Sequence, residues 1–455
     1  MSSIAEKRTS ETGRSPLLKV LDTLGMPALA MLLAFVGGAI TIGITSGSAE
    51  TVLTAYAGMI NGAFFKTRGF SETLVAMTPY IWLGLGLAVG FKAGLFNIGV
   101  EGQFYIGAIS AVWAGITFTG LPAIVSLPLG MLAGALGGAI WAGIPGILKA
   151  KTGAHEVITT MMMNYIAFRF AEYVVSDPLR DRKSTAVQTL RVSPTAELWS
   201  LWSIPERLAD PLNALGVAIF FAVIALVIAR WLLSSGNLAK RFATVSQKRL
   251  ATWGIGLGFG VLVFFMLPPL TKAWWPFSDQ YDRLHIGVII GIAVAAAVWW
   301  LMYKTTLGFE MRTVGANPDA AKYAGINISR NIIVTMAISG ALAGVAGTIE
   351  VLGVSICRCL PLFFSSGYGF DSIALALLAK NNPIGIVFGS FLFGAMRNGA
   401  DLMELNSGVS KYIISLIQGL VLLFVAAPSM VRYLLRMRAA RKPEEEAVLT
   451  RGWGA

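Results

Sequence analysis

The octapeptide Phe-Asn-Ile-Gly-Val-Glu-Gly-Gln at residues 96–103 lies between two apolar runs and decides which folds are possible. It places an asparagine, a carboxylate and an amide at or near the depth of a membrane. Unpaired polar groups are expensive there, so those that occur are usually functional. We therefore take Asn97, Glu101 and Gln103 as candidate residues of a pathway through a membrane.

The composition of the whole chain is that of a membrane protein. Of the 455 residues, 55% are hydrophobic and 13% are charged, whereas a soluble domain carries about 25% charged residues. The apolar runs approach the ~20 residues needed to span hydrocarbon, and in lipid such runs form helices rather than isolated strands. The fifty glycines suit close helix packing. We predict one all-α polytopic membrane domain over residues 26–430, with tails at 1–25 and 431–455.

The hydrophobic pattern predicts eleven to twelve crossings. Eleven helices are expected near residues 26–45, 72–92, 101–119, 123–148, 156–175, 213–233, 251–269, 286–304, 331–352, 384–401 and 410–427. A short segment at 369–380 stops before Asn382-Pro383 and has the pattern of the broken helices of transporters. It supplies the even number of crossings that two cytoplasmic termini require. Residues 52–65 are expected to lie against the membrane or re-enter it.

The net charge of +12 is concentrated where a membrane protein faces the cytoplasm. Basic residues precede the first span, follow the last one and cluster in the loop 234–250, where they are Lys240, Arg241, Lys248 and Arg249. This positive-inside pattern places both termini and the loop 305–330 inside, and the loops 176–212 and 270–285 outside. It argues against nucleic-acid binding. The loop 176–212 is expected to be ordered only in part.

The loop 305–330 contains the pattern of a short capped helix. Asn317 is a good N-cap, Pro318 suits the first helical position and Asp319 complements the helix N-terminus. Gly325 stands where a helix-terminating glycine belongs. Ala320, Ala321 and Tyr323 are expected to form a small, apolar, exposed face. Such a face fits a groove on a partner protein, although a short capped helix can also be a mere connector.

Several segments, in order along the chain, resemble the permease subunits of nucleoside and simple-sugar ABC importers, within the ribose and branched-chain amino-acid permease superfamily. The segments are 96–103, 156–166, 306–327, 339–344, 367–371 and 381–383. In that family the loop helix is the coupling helix that seats in a cytoplasmic ATPase subunit. The resemblance therefore implies that the ATPase contact includes Arg312, Asn317, Asp319, Ala320, Ala321, Tyr323, Gly325 and Ile326.

The resemblance also implies the other parts of the transporter. These are an extracytoplasmic substrate-binding lipoprotein and a second permease, with no cofactor, in the plasma membrane of a prokaryote. Gln103 after Glu101-Gly102 is similar to the longer of two paired permeases, which favours a heterodimer. Two departures from the family pattern stand out. His155 replaces a common asparagine, and residues 213–269 look like an inserted two-helix hairpin.

Six polar residues are candidates for the substrate pathway, and each has a structural alternative. They are Asn97, Glu101, Gln103, Asn164, Glu350 and Asp371. The three amides and Glu101 could instead hold helices together by hydrogen bonds, Asp371 could do the same or only cap the short helix, and Glu350 could face an outer vestibule. Arg169 and Glu172 are spaced to pair with each other.

The remaining reactive residues give no pattern of a catalytic or metal site. Two cysteines and two histidines lack metal-site spacing. A disulfide between Cys357 and Cys359 would close a tight, strained ring, so both are expected to pack in a loop as thiols. The chain carries no Walker A motif, no His-Glu-x-x-His and no nucleophile–base motif.

Three other functional classes remain open. An ion-coupled secondary transporter would use intramembrane carboxylates, but would leave the capped helix at 317–325 idle. A membrane enzyme lacks its motifs, and a scaffold would not need polar segments within the membrane. The sequence leaves open whether the substrate is a nucleoside or a simple sugar.

Overall fold

The computed structural model describes residues 16–234, 245–277 and 279–427, and its elements in these ranges are helices joined by loops. The helices are α1 Pro16–Ser46, α2 Ala49–Ile60, α3 Gly69–Lys92, α4 Val100–Thr117, α5 Ala123–Thr152, α6 Glu156–Ser176, α7 Ile204–Leu208, α8 Pro211–Ser234, α9 Val245–Trp274, α10 Gly287–Lys304, α11 Thr306–Ala316, α12 Pro318–Tyr323, α13 Ile328–Ile349, α14 Tyr368–Leu378, α15 Pro383–Ser407 and α16 Ile413–Ala426. Wide π-helical turns, Asn61–Phe65 and Glu350–Val354, extend α2 and α13.

The helices confirm an all-α polytopic membrane protein. Seven of them, within the described ranges, are long and apolar enough to cross a membrane: α1, α3, α5, α8, α9, α10 and α13. The other four predicted spans, α4, α6, α15 and α16, are present as helices but are shorter or less apolar. The short predicted segment forms α14, and the segment 52–65 falls within α2 and its π-helical turn. The predicted count of crossings therefore stays a prediction.

Glycines allow α13 to pack closely against both α3 and α5 at the centre of the bundle. A Cβ atom added to Gly138 of α5 would lie 2.8 Å from the Cα of Gly344 in α13, and one added to Gly340 would lie 3.0 Å from the carbonyl carbon of Gly138. Gly86 of α3 approaches the backbone of Ser339 equally closely. These contacts need residues without side chains, so the glycine-rich composition is explained by helix packing.

The hairpin of α8 and α9 lies at the edge of the bundle. Its two helices pack against each other where Gly260 meets Ala222. Its links to the rest of the chain include the Asn213 carboxamide, which accepts a hydrogen bond from the backbone of Ile124. The connection at 235–244, including Lys240 and Arg241, lies outside the described residues, whereas Lys248 and Arg249 fall in the first turns of α9.

The bundle has two distinct ends. The "α12 end" carries α11, α12 and the loop 153–155, and the "disulfide end" carries the loops 177–203, 275–286 and 355–367. Contrary to expectation, the loop 177–203 is held along its length by its neighbours. Thr189 donates from its backbone to Leu360, Val192 to Arg358 and Leu198 to Leu352. Partial order was expected because the loop is long and polar; its backbone partners lie far away in sequence.

The prediction for the two cysteines is wrong. Cys357 and Cys359 form a disulfide with their Cα atoms 5.1 Å apart. Arg358 between them has a left-handed backbone, with φ of 50°, which makes the tight turn that brings the two sulfur atoms together. The disulfide lies at the start of the loop 355–367.

Candidate functional site

The connection between α3 and α4, residues 93–99, is tied to its neighbours by side-chain amides and is named the α3–α4 joint. The Asn97 amide donates to Gln103 Oε1 and to Ser339 Oγ, both at 2.9 Å. Its carbonyl oxygen accepts from Gln103 Nε2 and from the backbone of Gly99. All of these hydrogen-bonding positions of Asn97 are filled, and its side chain is fully buried.

Asn164 of α6 fastens the same segment from the other side. Its carbonyl oxygen accepts from the backbone of Gly102 at 2.8 Å, and its amide donates to the backbone oxygen of Ile98 at 3.0 Å. Asn97, Gln103 and Asn164 therefore tie α4 to α13 and α6. Their bonding supports the alternative that the amides hold helices together, and a direct role in the pathway stays a prediction.

Glu101 joins the start of α4 to the start of α14. One carboxylate oxygen accepts from the Ser365 hydroxyl and the other from the backbone of Gly369 at 2.5 Å. A Cβ atom at position 369 would lie 2.8 Å from the Cα of Glu101, so only glycine fits here. A carboxylate is electrostatically favoured at a helix N-terminus, and Glu101 lies at the N-termini of both α4 and α14.

Asp371 belongs to a second polar cluster, built around Arg397 of α15. Tyr80 donates its hydroxyl to Asp371 at 3.0 Å, and Arg397 lies 3.3 Å from that hydroxyl and 3.9 Å from the Asp371 carboxylate. The Arg397 guanidinium also lies 3.7 Å above the ring of Tyr368, a cation–π contact. Asp371 therefore bonds across helices. The predicted alternative, that it caps α14, is wrong, because its carboxylate bonds to Tyr80 and Arg397, whereas Glu101 accepts from the backbone of Gly369 at the start of that helix.

Among the predicted pathway residues, Glu350 differs from Glu101 and Asp371 because one of its carboxylate oxygens is buried without a hydrogen-bond partner in the described structure. It lies in the π-helical turn after α13 and is only 8% exposed, so it does not face an open vestibule. Its Oε2 is buried with no hydrogen-bond partner in the described part of the chain. Arg397 and Arg283 are the cations that act on it electrostatically, and Arg283 is itself bonded to Glu72.

Sequence reasoning missed Tyr80, Tyr368, Arg283 and Arg397. Arg397 could have been identified from the sequence, because it is the single arginine in the predicted span 384–401. Charged residues within membrane helices usually have a function. Tyr80 carried no such signal, since it sits in an apolar run like many others, and Tyr368 lies in the segment 367–371 that resembles the permease family but was given no role of its own. Arg169 and Glu172 pair at 2.6 Å, as their spacing predicted. No group of three metal-ligating side chains occurs in the ranges that the structure describes.

At the α12 end, the short helix is formed and capped as predicted. The Asn317 side chain accepts from the backbones of Asp319 and Ala320 at 3.0 and 3.1 Å. Gly325 has φ of +78°, and the backbone of Ile326 donates to Ala321, which closes the helix.

The exposed face of α12 differs from the predicted face in one residue. Ala321 is fully buried and belongs to the support of the helix, whereas Tyr323 is 97% exposed. The turn of the helix points Ala321 at the bundle, while Ala320, Lys322 and Ala324 face outward with Tyr323. Arg312, in the preceding helix α11, stacks 5.2 Å from the ring of Tyr303.

Comparison with known proteins identifies relatives along almost the whole chain. The family described as branched-chain amino acid transport system / permease component matches residues 69–426. A guanosine ABC transporter permease of Bacillus subtilis is 33% identical, with 92% of this chain and 97% of the relative covered. A nucleoside ABC transporter permease of Lactococcus lactis is 30% identical over 92% and 95%, and a glucose ABC transporter permease of Haloferax volcanii 28% over 88% and 86%.

No solved structure matches the chain. The region that matches the family contains both polar clusters, the disulfide end and α12. The chain belongs to the branched-chain amino acid transport system / permease component family, and it is a multi-pass membrane permease subunit of an ABC transporter.

Proposed function

We propose that this chain is the permease of an ATP-driven importer for nucleosides or simple sugars, and that α12 transmits the work of a separate ATPase. The observation that carries the proposal is the side chain of Tyr323, which is 97% exposed on a rigidly capped helix. A solvent-facing connector would carry polar residues there. An exposed aromatic ring beside small residues is instead typical of a surface that enters a partner's groove.

The printed functions of the relatives support the substrate class. Two of the three transport guanosine or nucleosides and one transports glucose, by their names. We further propose a substrate-binding lipoprotein at the disulfide end and a second permease of different sequence in the membrane. The purified chain alone is expected to hydrolyse no ATP, because its sequence lacks a phosphate-binding loop.

The α12 end is proposed to face the cytoplasm, together with both termini. Single cysteines at Ser246, near the start of α9, and at Thr185, in the loop 177–203, test this orientation. Thr185→Cys should react with a membrane-impermeant maleimide in intact cells, and Ser246→Cys only after permeabilisation. The reverse result would place α12 outside and would remove the ATPase contact.

Substitution at Gly325 tests the coupling. Gly325→Val puts a β-branched residue at φ of +78°, where such residues are strongly disfavoured. The exit of α12 should distort, and both co-purification of the ATPase and uptake should be lost while the chain still inserts. Gly408→Val is the matched control: φ there is +68°, and in both places an added Cβ would meet no atom within 4 Å.

The control separates strain from coupling. Gly408 ends α15, which packs mainly on α2 and α3, so its variant should retain the ATPase even if stability falls. If Gly325→Val keeps its ATPase and its uptake, α12 is a connector and the coupling proposal is wrong.

A further inference from the structure

An aromatic cavity lies beside Glu101 and is not explained by helix packing. It has a volume of about 340 Å³ and is bounded by α4, α6, the start of α14 and the loop 360–367. Six of its sixteen lining residues are aromatic: Tyr105, Tyr165, Phe168, Phe363, Phe364 and Phe370. Its charged lining groups are Glu101 at the inner wall and Arg169 with Glu172, which are already paired with each other.

Part of the aromatic lining is fixed by ring-to-ring contacts. Phe364 stacks on Phe104 with ring centroids 5.1 Å apart and an interplanar angle of 11°. Tyr105 meets Phe364 edge-on at 4.6 Å and Phe168 at 4.9 Å. These rings form a rigid wall, because each is held by at least one other ring.

Tyr165 also contacts the ring of Phe168, at 6.3 Å, but Phe363 and Phe370 lack such support. Phe363 is 71% exposed and Phe370 is 43% exposed, and neither packs on a ring of the wall. Phe363 also has a left-handed backbone with φ of 58°, which is rare for a bulky residue. The chain therefore holds an exposed ring at the cavity against its own conformational preference, and such strain clusters at ligand sites.

We propose that this cavity is a transit site for the planar base of a nucleoside, with the base against Phe363 and Phe370 and its N–H groups directed at Glu101. The proposal rests on the importer function proposed above and selects nucleosides from its two substrate classes. Each Glu101 oxygen already accepts one hydrogen bond and keeps a second acceptor position. The base of guanosine presents N–H donors and two flat faces, which matches this lining.

The same lining disfavours a free sugar. Nine of the sixteen lining residues are wholly apolar: Phe168, Ala171, Val175, Leu360, Pro361, Leu362, Phe363, Phe364 and Phe370. A hexose presents hydroxyl groups in most directions, and several would lose hydrogen bonds to water without replacement, which is costly. Stacking of a base requires only a ring face and tolerates an apolar wall.

Photolabelling tests the location directly. The transporter, reconstituted with its ATPase and its binding protein, is irradiated with 8-azidoguanosine, and the labelled peptides are identified by mass spectrometry. Label is expected within residues 360–370 or 165–175, and excess guanosine should suppress it whereas excess ribose should not. Label confined to other segments, or suppressed equally by ribose, would overturn the proposal.

Transport kinetics provide the second test. Phe363→Leu removes the ring but keeps an apolar side chain, and its KM for guanosine uptake should rise about tenfold, the usual scale for loss of one base-stacking contact. Phe118→Leu, at a ring 39% exposed outside the cavity, is the control and should match the unmodified protein. An unchanged KM in Phe363→Leu would overturn the proposal.

The outcomes separate this inference from the importer function. ATP-driven uptake of ribose or glucose without uptake of nucleosides would leave the importer standing and overturn the base site. No ATP-driven uptake of any of these probes would contradict the proposed function itself.

Discussion

Two interruptions of the helical bundle lie side by side but are built differently. The α3–α4 joint, residues 93–99, is bonded throughout: Asn97 fills its hydrogen-bonding positions, and Asn164 satisfies the backbone on either side of Gly99. The connection between α13 and α14, residues 350–367, is named the α13–α14 joint. It contains a buried carboxylate oxygen without a partner at Glu350 and left-handed residues at Arg358 and Phe363.

The difference indicates a division of roles. Fully satisfied polar networks make a structure rigid, so the α3–α4 joint is a fixed part of the frame. Unpaired buried groups and strained backbone cost free energy and persist where function requires them. The α13–α14 joint also provides the wall of the aromatic cavity, from Leu360 to Gly367. Glu101 connects the two joints through Ser365 and Gly369.

The largest expected loss of uptake follows from a substitution at Gly369, which would push the two joints apart. Gly369→Val would place a side chain 2.8 Å from the backbone of Glu101, so α14 could not keep its contact with α4. We expect uptake to fall at least about tenfold, on the scale of overpacking by 1–3 kcal/mol or more. Uptake is measured per unit of protein in the membrane.

Gly143→Val is the control, because a Cβ added at that position in α5 meets no atom within 4 Å. Ser365→Ala removes one hydrogen bond to Glu101 without a clash and should have a smaller effect. Normal uptake in Gly369→Val would show that the two joints do not depend on each other.

The α3–α4 joint was largely predictable from sequence, whereas the α13–α14 joint was not. Polar residues between apolar runs identified Asn97, Glu101 and Gln103, and apolar runs of near-spanning length identified the helices. The cap of α12 was predictable because Asn317 and Gly325 act on their own neighbours. Local chemistry of this kind can be read from sequence.

The rest depends on contacts between distant segments. The Arg397 cluster joins α3, α14 and α15, and nothing in the spacing of Tyr80 or Tyr368 indicates a cation between them. The burial of Ala321 depends on how α12 sits on the bundle. The disulfide at Cys357 and Cys359 depends on a left-handed turn at Arg358, which is not a preferred residue for that conformation.

At the α3–α4 joint, Asn97→Ala should reduce stability. It leaves the amide of Gln103, the hydroxyl of Ser339 and the backbone of Gly99 without partners, at about 1–3 kcal/mol for each buried group that stays unpaired. We expect a lower melting temperature in detergent, with uptake falling only in proportion to the folded protein.

Thr54→Ala is a control for loss of a polar group, since its hydroxyl bonds only the carbonyl four residues back in its own helix. If Asn97→Ala melts like the unmodified protein but transports poorly, Asn97 acts in the pathway and the rigid frame is the wrong description.

At the α13–α14 joint, Glu350→Gln should reduce uptake more than it reduces stability, which is the reverse of the result expected for Asn97→Ala. The substitution keeps the size of the side chain and removes no hydrogen bond of Oε2 in the described structure, so the melting temperature should change less than in Asn97→Ala. Uptake should fall several-fold, because the carboxylate acts electrostatically with Arg397 and Arg283. If stability falls strongly while uptake per folded molecule is unchanged, Glu350 is a structural residue. The two joints would then not differ in role.

The smallest effect concerns His285, which lies against the α13–α14 joint: a Cβ atom added to Gly353 would be 3.0 Å from its Nε2. This side chain is fully buried in the loop before α10 and accepts a hydrogen bond from the backbone of Gly287 through Nδ1. Burial, together with the guanidinium groups of Arg358 and Arg283, lowers the pKa of His285 from 6.5 to about 3. The folded protein therefore holds it neutral, whereas an unfolded chain protonates it below its ordinary pKa.

The sign of the pH dependence follows from linkage. Above pH 6.5 neither state binds the proton and the full stability is present. Between pH 6.5 and about 3 the unfolded state binds more protons, so stability falls as the pH falls, by up to about 1.4 kcal/mol per pH unit. The melting temperature should therefore drop from pH 7 to pH 5. His285→Asn retains an acceptor for the backbone of Gly287 but does not titrate, so its drop should be smaller. Equal drops in both proteins would show that His285 is not the group that links this end of the molecule to pH.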